Sequence, residues 1–189
     1  MNDRLIHIIF EAAVVKRLQR TGWQILGGHE EGVGEHSFMT AIIAYFLCKQ
    51  MKANMETVLT MAIFHDFHEA RTGEVDKLAK FYITRHEDRA NTDIFEPIDK
   101  ELLNVLERYE EKKSIESRIV YEANILAFLV ELKLLAERGH THTIEWFDGN
   151  AKRLRMKESK ELAEKIRTTD SQEWWMGIRK TLNEQFLQE

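Results

Sequence analysis

Ile63-Phe64-His65-Asp66-Phe67-His68-Glu69-Ala70-Arg71-Thr72-Gly73-Glu74 begins as the end of an apolar helix and then turns polar. Two histidines, an aspartate and a glutamate fall within five residues, 65–69. Buried titratable groups are costly unless they are paired or hold a metal, so an apolar helix that runs into such a cluster points to a site. On residue types alone, His65 and Asp66 read as ligands of a divalent metal and Glu69 as a proton-handling group beside it. On a helix His65 and Glu69 lie four apart and share a face, whereas Asp66 is offset by about a hundred degrees. Both neighbours turn toward one ion only if the helix end permits it, and Thr72-Gly73 supplies a break nearby.

Upstream, Asn54 is a good N-cap and Glu56 suits the first turn of a helix that runs through Val58, Leu59, Ala62 and Ile63 into the cluster. Before it, Glu35-His36-Ser37 opens a helix continuing through Met39, Ile42, Ile43, Phe46, Leu47 and Met51. That helix is apolar on most of its circumference and reads as central, with His36 in its first turn. Residues 24–34 hold four of the nine glycines and the acidic pair Glu30-Glu31, and read as a long loop. No phosphate-cradling glycine motif is present in it. A first helix is expected over 3–20, ending at Arg20-Thr21-Gly22-Trp23, where glycine suits a helix end.

Downstream, residues 75–113 predict two or more helices, split near Asn91–Asp93 or at Glu96-Pro97. Leu78, Phe81 and Tyr82 are expected on one apolar face, and Ile98, Leu102, Leu103, Leu106 and Tyr109 on another. Residues 114–138 give the longest helical signal, apolar on nearly every side and therefore buried, with Gly139 as its stop. Glu122 and Asn124 are polar on that helix, and a buried polar group needs a partner. Residues 140–189 read as two or three amphipathic helices, with Trp146, Phe147, Leu154, Trp174, Trp175, Ile178 and Phe186 turned inward.

Composition sets the class. A chain of 189 residues, 43% hydrophobic and 31% charged with one proline, suits one mostly helical domain over 1–189. Strand signals are poor, so the fold class is all-α, a compact helical bundle. A net charge of −5 argues against a polymeric nucleic-acid partner. The lone Cys48 reads as a small core residue, which fits a reducing cytoplasm. The chain carries no run of about 20 apolar residues and no signal-peptide pattern, so no membrane association is expected.

A hydrolytic metal site needs three or four protein ligands and a nearby acid–base group. His36 faces the His65 cluster if their helices pack antiparallel, and Asn124 or Glu122 on the long buried helix completes the set. Imidazole with carboxylate suits Mn, Co, Zn, Fe or Mg. In order along the chain stand Arg20-Thr21-Gly22-Trp23, the glycine-rich loop, Glu35-His36-Ser37, His65-Asp66-x-x-Glu69-x-x-x-Gly73 and Glu122-Ala123-Asn124-x-Leu126. This set resembles the HD-domain metal-dependent phosphohydrolase superfamily, in its small 5'-deoxynucleotidase branch, over roughly residues 5 to 140.

The resemblance implies a helical bundle, often dimeric, that binds one divalent metal through His36, His65, Asp66 and the residue at Asn124. It implies hydrolysis of a small phosphomonoester, a deoxynucleoside 5'-monophosphate, with Glu69 acting on the attacking water. Arg20 matches the phosphate-binding arginine and Trp23 an aromatic near the sugar. Two positions depart from the pattern. Asn124 stands where the family has an aspartate ligand, which removes a negative charge and lowers expected metal affinity. Glu74 stands where an aspartate usually follows the glycine, at a substrate contact. The other reading is an HD-fold nucleotide- or metal-binding regulatory protein that has lost turnover.

Overall fold

Asn54 starts the helix that leads into the polar cluster: its Oδ1 accepts the Thr57 amide at 2.9 Å, and α3 then runs over Met55–Phe64. In the computed structural model, which describes residues 3–28 and 31–186, that helix stops just before His65. His65 to His68 form turns, and a single helical turn, α4, covers Glu69–Thr72. Gly73 ends it at φ 72°, a left-handed backbone that favours glycine. The break expected near Thr72-Gly73 is present, but the decisive interruption lies earlier, at His65. It lets adjacent His65 and Asp66 face the same way.

The other helices are α1 (Asp3–Val15), α2 (Val33–Met51), α5 (Glu87–Phe95), α6 (Lys100–Glu111), α7 (Ile115–Glu137), α8 (Thr143–Ala151), α9 (Lys157–Thr168) and α10 (Glu173–Phe186). Short 3-10 turns cover Thr21–Leu26 and Ala79–Phe81. The fold is all-helical among the described residues, apart from one isolated antiparallel bridge between Gln19 and Gly32.

That bridge corrects the first helix, which ends at Val15 rather than near Arg20. Leu18 accepts the Val33 amide at 2.8 Å and Arg20 donates its amide to the Glu31 carbonyl at 2.9 Å, so residues 18–20 are held extended against 31–33. Gly22 therefore terminates nothing; Gly27, at φ 96°, closes the 3-10 turn instead. His29 and Glu30 of the expected loop lie outside the described residues. Glu35 reaches back to accept the Gly32 amide at 2.7 Å and fixes the start of α2.

Two compact units divide the chain, Met1–Phe128 and Leu129–Glu189. In the first, Val15, Val33, Phe67, Ile94, Phe95 and Leu106 form a buried cluster against which Phe64 packs. The rings of Phe64, Phe67 and Phe95 pair at centroid distances of 5.4–5.8 Å. Such pairs add about 0.5–1.5 kcal/mol each beyond area burial. They pin the backbone on both sides of His65-Asp66. The N-terminal part of α7 buries Ile119, Val120, Ala123, Leu126 and Ala127 completely. Of the two split points expected after Val75, the helices part at Glu96-Pro97, and Asp99 caps α6 by accepting the Leu102 amide at 2.9 Å.

The second unit buries Leu129, Leu132, Leu135, Phe147, Leu154 and Ala163. The Arg167 guanidinium sits 4.4 Å from the Phe147 ring centre and pairs with Asp148. Two apolar groups are exposed, one expected to form a single face and the other expected inside. Leu78, Phe81 and Tyr82 project from an irregular segment, with Phe81 84% exposed, because no regular helix presents them as one face. Trp174, Ile178 and Phe186 on α10 are also exposed, Trp174 at 80%. No helix among the described residues is long and apolar enough to cross a membrane. Cys48 is buried, as a small core residue should be.

The burial pattern makes a test. Leu126→Ala, at a fully buried position, should cost about 2–5 kcal/mol, while Phe38→Ala on the exposed face of α2 should stay within about 0.5 kcal/mol. Urea unfolding midpoints check both. Equal losses would contradict the assignment of α7 to the core.

Candidate active site

His36 on α2, His65 and Asp66 at the end of α3 each offer one ligand atom, and these atoms lie within 4.8 Å of one another. His65 is buried and its Nδ1 faces the Ala62 carbonyl at 2.9 Å. With Nδ1 turned to that carbonyl, Nε2 is the ring nitrogen aimed into the cluster, 3.1 Å from Asp66 Oδ2. His36 is 1% exposed, and its Nε2 lies 3.1 Å from Asn124 Oδ1 on α7. Asn124 thus comes to the cluster, whereas buried Glu122, two residues earlier, is not among the clustered groups.

The electrostatics are those of a charged site withdrawn from water. Burial opposes ionisation of Asp66, but the charge of His65, 3.1 Å away, outweighs it and holds the carboxyl far below the usual range. Burial likewise disfavours charge on His65, and the Asp66 carboxylate reverses this, raising its pKa. For His36 burial dominates, with the Arg20 charge adding to it, and its pKa is lowered. Glu69 is 5% exposed; burial, then the Asp66 and Glu74 charges, raise its pKa to about 9. Its Oε1 faces Arg85 Nη1 at 3.4 Å, while Oε2 is buried without a partner.

Arg20 sits beside this cluster. Its Nη1 donates to Glu31 Oε2 at 2.7 Å and approaches His36 Nδ1 at 3.0 Å. The guanidinium lies 5.9 and 5.4 Å from the ring centres of Trp23 and Phe128, which pack on each other at 4.9 Å. Trp23 itself is buried, 1% exposed, and donates its Nε1 proton to Glu31 Oε2 at 2.8 Å. It presents packing rather than an open ring. Glu74 accepts the Thr21 amide at 2.7 Å, which ties the residue after Gly73 to the Arg20–Trp23 segment.

Three neighbours carried no role in the sequence reading. Glu31 was visible only as half of an acidic pair in a loop, and its position depends on the bridge between residues 18–20 and 31–33. Arg85 donates to the Gly73 carbonyl at 2.7 Å and pairs with Glu69 and Glu87; nothing local in 75–86 marks it. Tyr109 packs edge-on to His65, ring centres 5.7 Å apart, though its sequence signal was only that of an apolar helix face.

A buried His2Asp cluster flanked by an arginine and a glutamate invites comparison with known proteins. The HD-domain family pattern matches residues 12–170. The chain belongs to the HD-domain family. Among curated HD-domain relatives, 5'-deoxynucleotidase HDDC2 of Danio rerio is 26% identical over 137 residues, 68% of each chain. The human HDDC2 protein, also a 5'-deoxynucleotidase, is 30% identical over 114 residues, which span 56% of this chain and 55% of its own. A solved protein from Pyrococcus horikoshii superposes with a TM-score of 0.71 at 25% identity, covering 86% of this chain and 98% of its own. A second, from Pyrococcus furiosus, gives 0.73 at 24% identity over 87% and 99%, and speaks for the fold alone.

In this HD-domain site the raised Glu69 pKa has a stability consequence. Between the ordinary value of 4.5 and about 9, the folded chain holds a proton that the unfolded chain releases. Stability from this group is therefore present below about 4.5 and falls as pH rises toward 9. Glu69→Gln removes the titration, so the melting temperature of the metal-free variant should gain on wild type from pH 4 to pH 8. Each kcal/mol relieved is worth roughly 2–4 °C in a chain of this size. A gap that shrinks over that range would contradict the buried environment assigned to Glu69.

Proposed function

We propose that this chain is a divalent-metal-dependent phosphomonoester hydrolase acting on nucleoside 5'-monophosphates, with deoxynucleotides preferred. The observation that carries it is the convergence of His36, His65 and Asp66, with Arg20 against His36 and Glu69 buried nearby. The donor set fits a divalent ion: two imidazoles and a carboxylate share one buried spot, and His65 Nε2 has no hydrogen-bond partner there. In this reading His36, His65 and Asp66 hold the ion and Asn124 adds a neutral amide oxygen. An ion so held supplies Lewis-acid polarisation and charge neutralisation for a phosphate group.

The remaining work falls to the chain's own side chains. Burial favours the neutral carboxyl of Glu69 in the metal-free chain. A cation held beside it would favour the carboxylate, whose Oε2 would take the proton released by the attacking water, while Arg85 holds the other oxygen. Arg20 presents a planar fork of donors that suits phosphate oxygens. Trp23 and Phe128 brace that guanidinium. Glu74 acts through Thr21, fixing the segment that carries Arg20. The nucleoside part of the substrate rests on the likeness to the HDDC2 nucleotidases.

One observation favours a second reading, a binding protein without turnover. Asn124 brings no charge to the cluster, and its oxygen is engaged with His36 Nε2. Both readings meet in one experiment: phosphate release from a panel of deoxy- and ribonucleoside 5'-monophosphates with Mn, Co or Mg. Wild type should release phosphate, and Glu69→Gln should lower kcat by about 10²–10⁴-fold. No release from wild type with any metal, together with turnover gained by Asn124→Asp, would favour the binding protein. No release from either sinks the hydrolase.

A further inference from the structure

Glu31 is 3% exposed, belongs to no ligand cluster, and yet three side chains of the site turn toward it. Its Oε2 accepts from Arg20 Nη1 at 2.7 Å and from Trp23 Nε1 at 2.8 Å. Its Oε1 is buried, has no hydrogen bond, and stands 3.5 Å from His36 Nδ1. Burying a carboxylate with one idle oxygen is expensive, so the idle oxygen calls for an occupant.

The His36 ring shows what that occupant is. Arg20 Nη1 carries only donors, so at 3.0 Å from Nδ1 it makes that nitrogen an acceptor. The ring proton then sits on Nε2 and is donated to Asn124 Oδ1 at 3.1 Å. In that tautomer Nε2 has no lone pair to offer an ion. Ligation through Nε2 requires the proton on Nδ1 instead, and the acceptor facing Nδ1 is the idle Oε1 of Glu31.

We propose that Glu31 is a positioning residue: by accepting a proton-bearing Nδ1 it selects the His36 tautomer whose Nε2 can bind a divalent ion. Arg20 gives up its contact with Nδ1 when this happens and keeps its bond to Oε2. The charge of Glu31 suits the role. The Arg20 guanidinium, 2.7 Å from Oε2, favours the ionised carboxylate that the role needs. Carboxylates that orient a ligating histidine in this way are typically worth 10–100-fold in metal affinity. The inference rests on the metal-site reading given above.

Glu31→Gln separates shape from function. The single amide oxygen satisfies Arg20 and Trp23, which leaves the NH2 group facing His36 Nδ1 and favours the wrong tautomer. The measurements are Mn2+ dissociation constants by calorimetry and histidine 15N shifts of the full chain, metal-free and with Zn2+. Wild type should move the His36 proton from Nε2 to Nδ1 on binding Zn2+. Glu31→Gln should bind Mn2+ about 10–100-fold more weakly, with the proton staying on Nε2. A variant that binds as tightly as wild type, or more weakly with an unchanged tautomer, overturns the role of Glu31 and leaves the metal site standing. If the variant does not fold, the wild-type spectrum still decides: a Zn2+-loaded His36 with its proton on Nε2 overturns the proposal. Failure of wild type to bind either ion overturns this inference and the metal site together.

Discussion

His36, His65 and Glu69 are each no more than 5% exposed, and Asp66 lies against His65 at 3.1 Å. Placing so many titratable groups in one dry volume is the constraint on which the surrounding structure depends. A low-dielectric interior strengthens every charge interaction and penalises every unpaired charge. In the metal-free chain the constraint is met partly with protons: burial favours the neutral form of Glu69, and the Asp66 carboxylate favours the charged form of His65. Oε2 of Glu69 and Nε2 of His65 are still left without hydrogen bonds. A cation held by His36, His65 and Asp66 would offset the carboxylate charge gathered there.

The fold is arranged to hold this volume open. α3 ends at Phe64, His65 and Asp66 reach one cluster, and the paired Phe64, Phe67 and Phe95 rings pack on either side of that turn. α2 carries His36 in from one side and α7 brings Asn124 from another. The backbone pairing of residues 18–20 with 31–33 then delivers Arg20 and Glu31 together. Arg20 therefore depends on a loop-borne carboxylate for its position, and so does the buried Trp23. Core packing, one helix break and one isolated bridge place almost every charged group of the site.

The legible and illegible parts of the sequence divide along physical lines. α2, α3 and α7 were legible because their apolar periodicity, the Asn54 cap and the Gly139 stop are local signals. The helical class followed from the single proline and the lack of strand patterning, and the family resemblance from Arg20, His36, His65, Asp66, Glu69 and Asn124 in order. The end of α1 was not legible: residues 16–20 have helical composition, but pairing with 31–33 overrides local propensity, and that contact is long-range. Arg85 and Glu31 escaped notice for the same reason, since a charged residue in a loop looks solvated until its partner is known. The aromatic residues of α10 misled in the opposite direction. Amphipathic spacing shows that a face exists without showing that anything covers it, and Trp174 and Phe186 are exposed.

The central claim is that the buried cluster holds a divalent ion through residues from α2 and the end of α3. Crystals grown with Mn2+ and measured for anomalous scattering address it directly. One strong peak is expected, bounded by His36 Nε2, His65 Nε2 and an Asp66 carboxylate oxygen, with ligand distances of about 2.0–2.3 Å. His36 Nε2 should also have left its hydrogen bond with Asn124 for the ion. No peak at the cluster under saturating Mn2+, with His36 still bonded to Asn124, would contradict it.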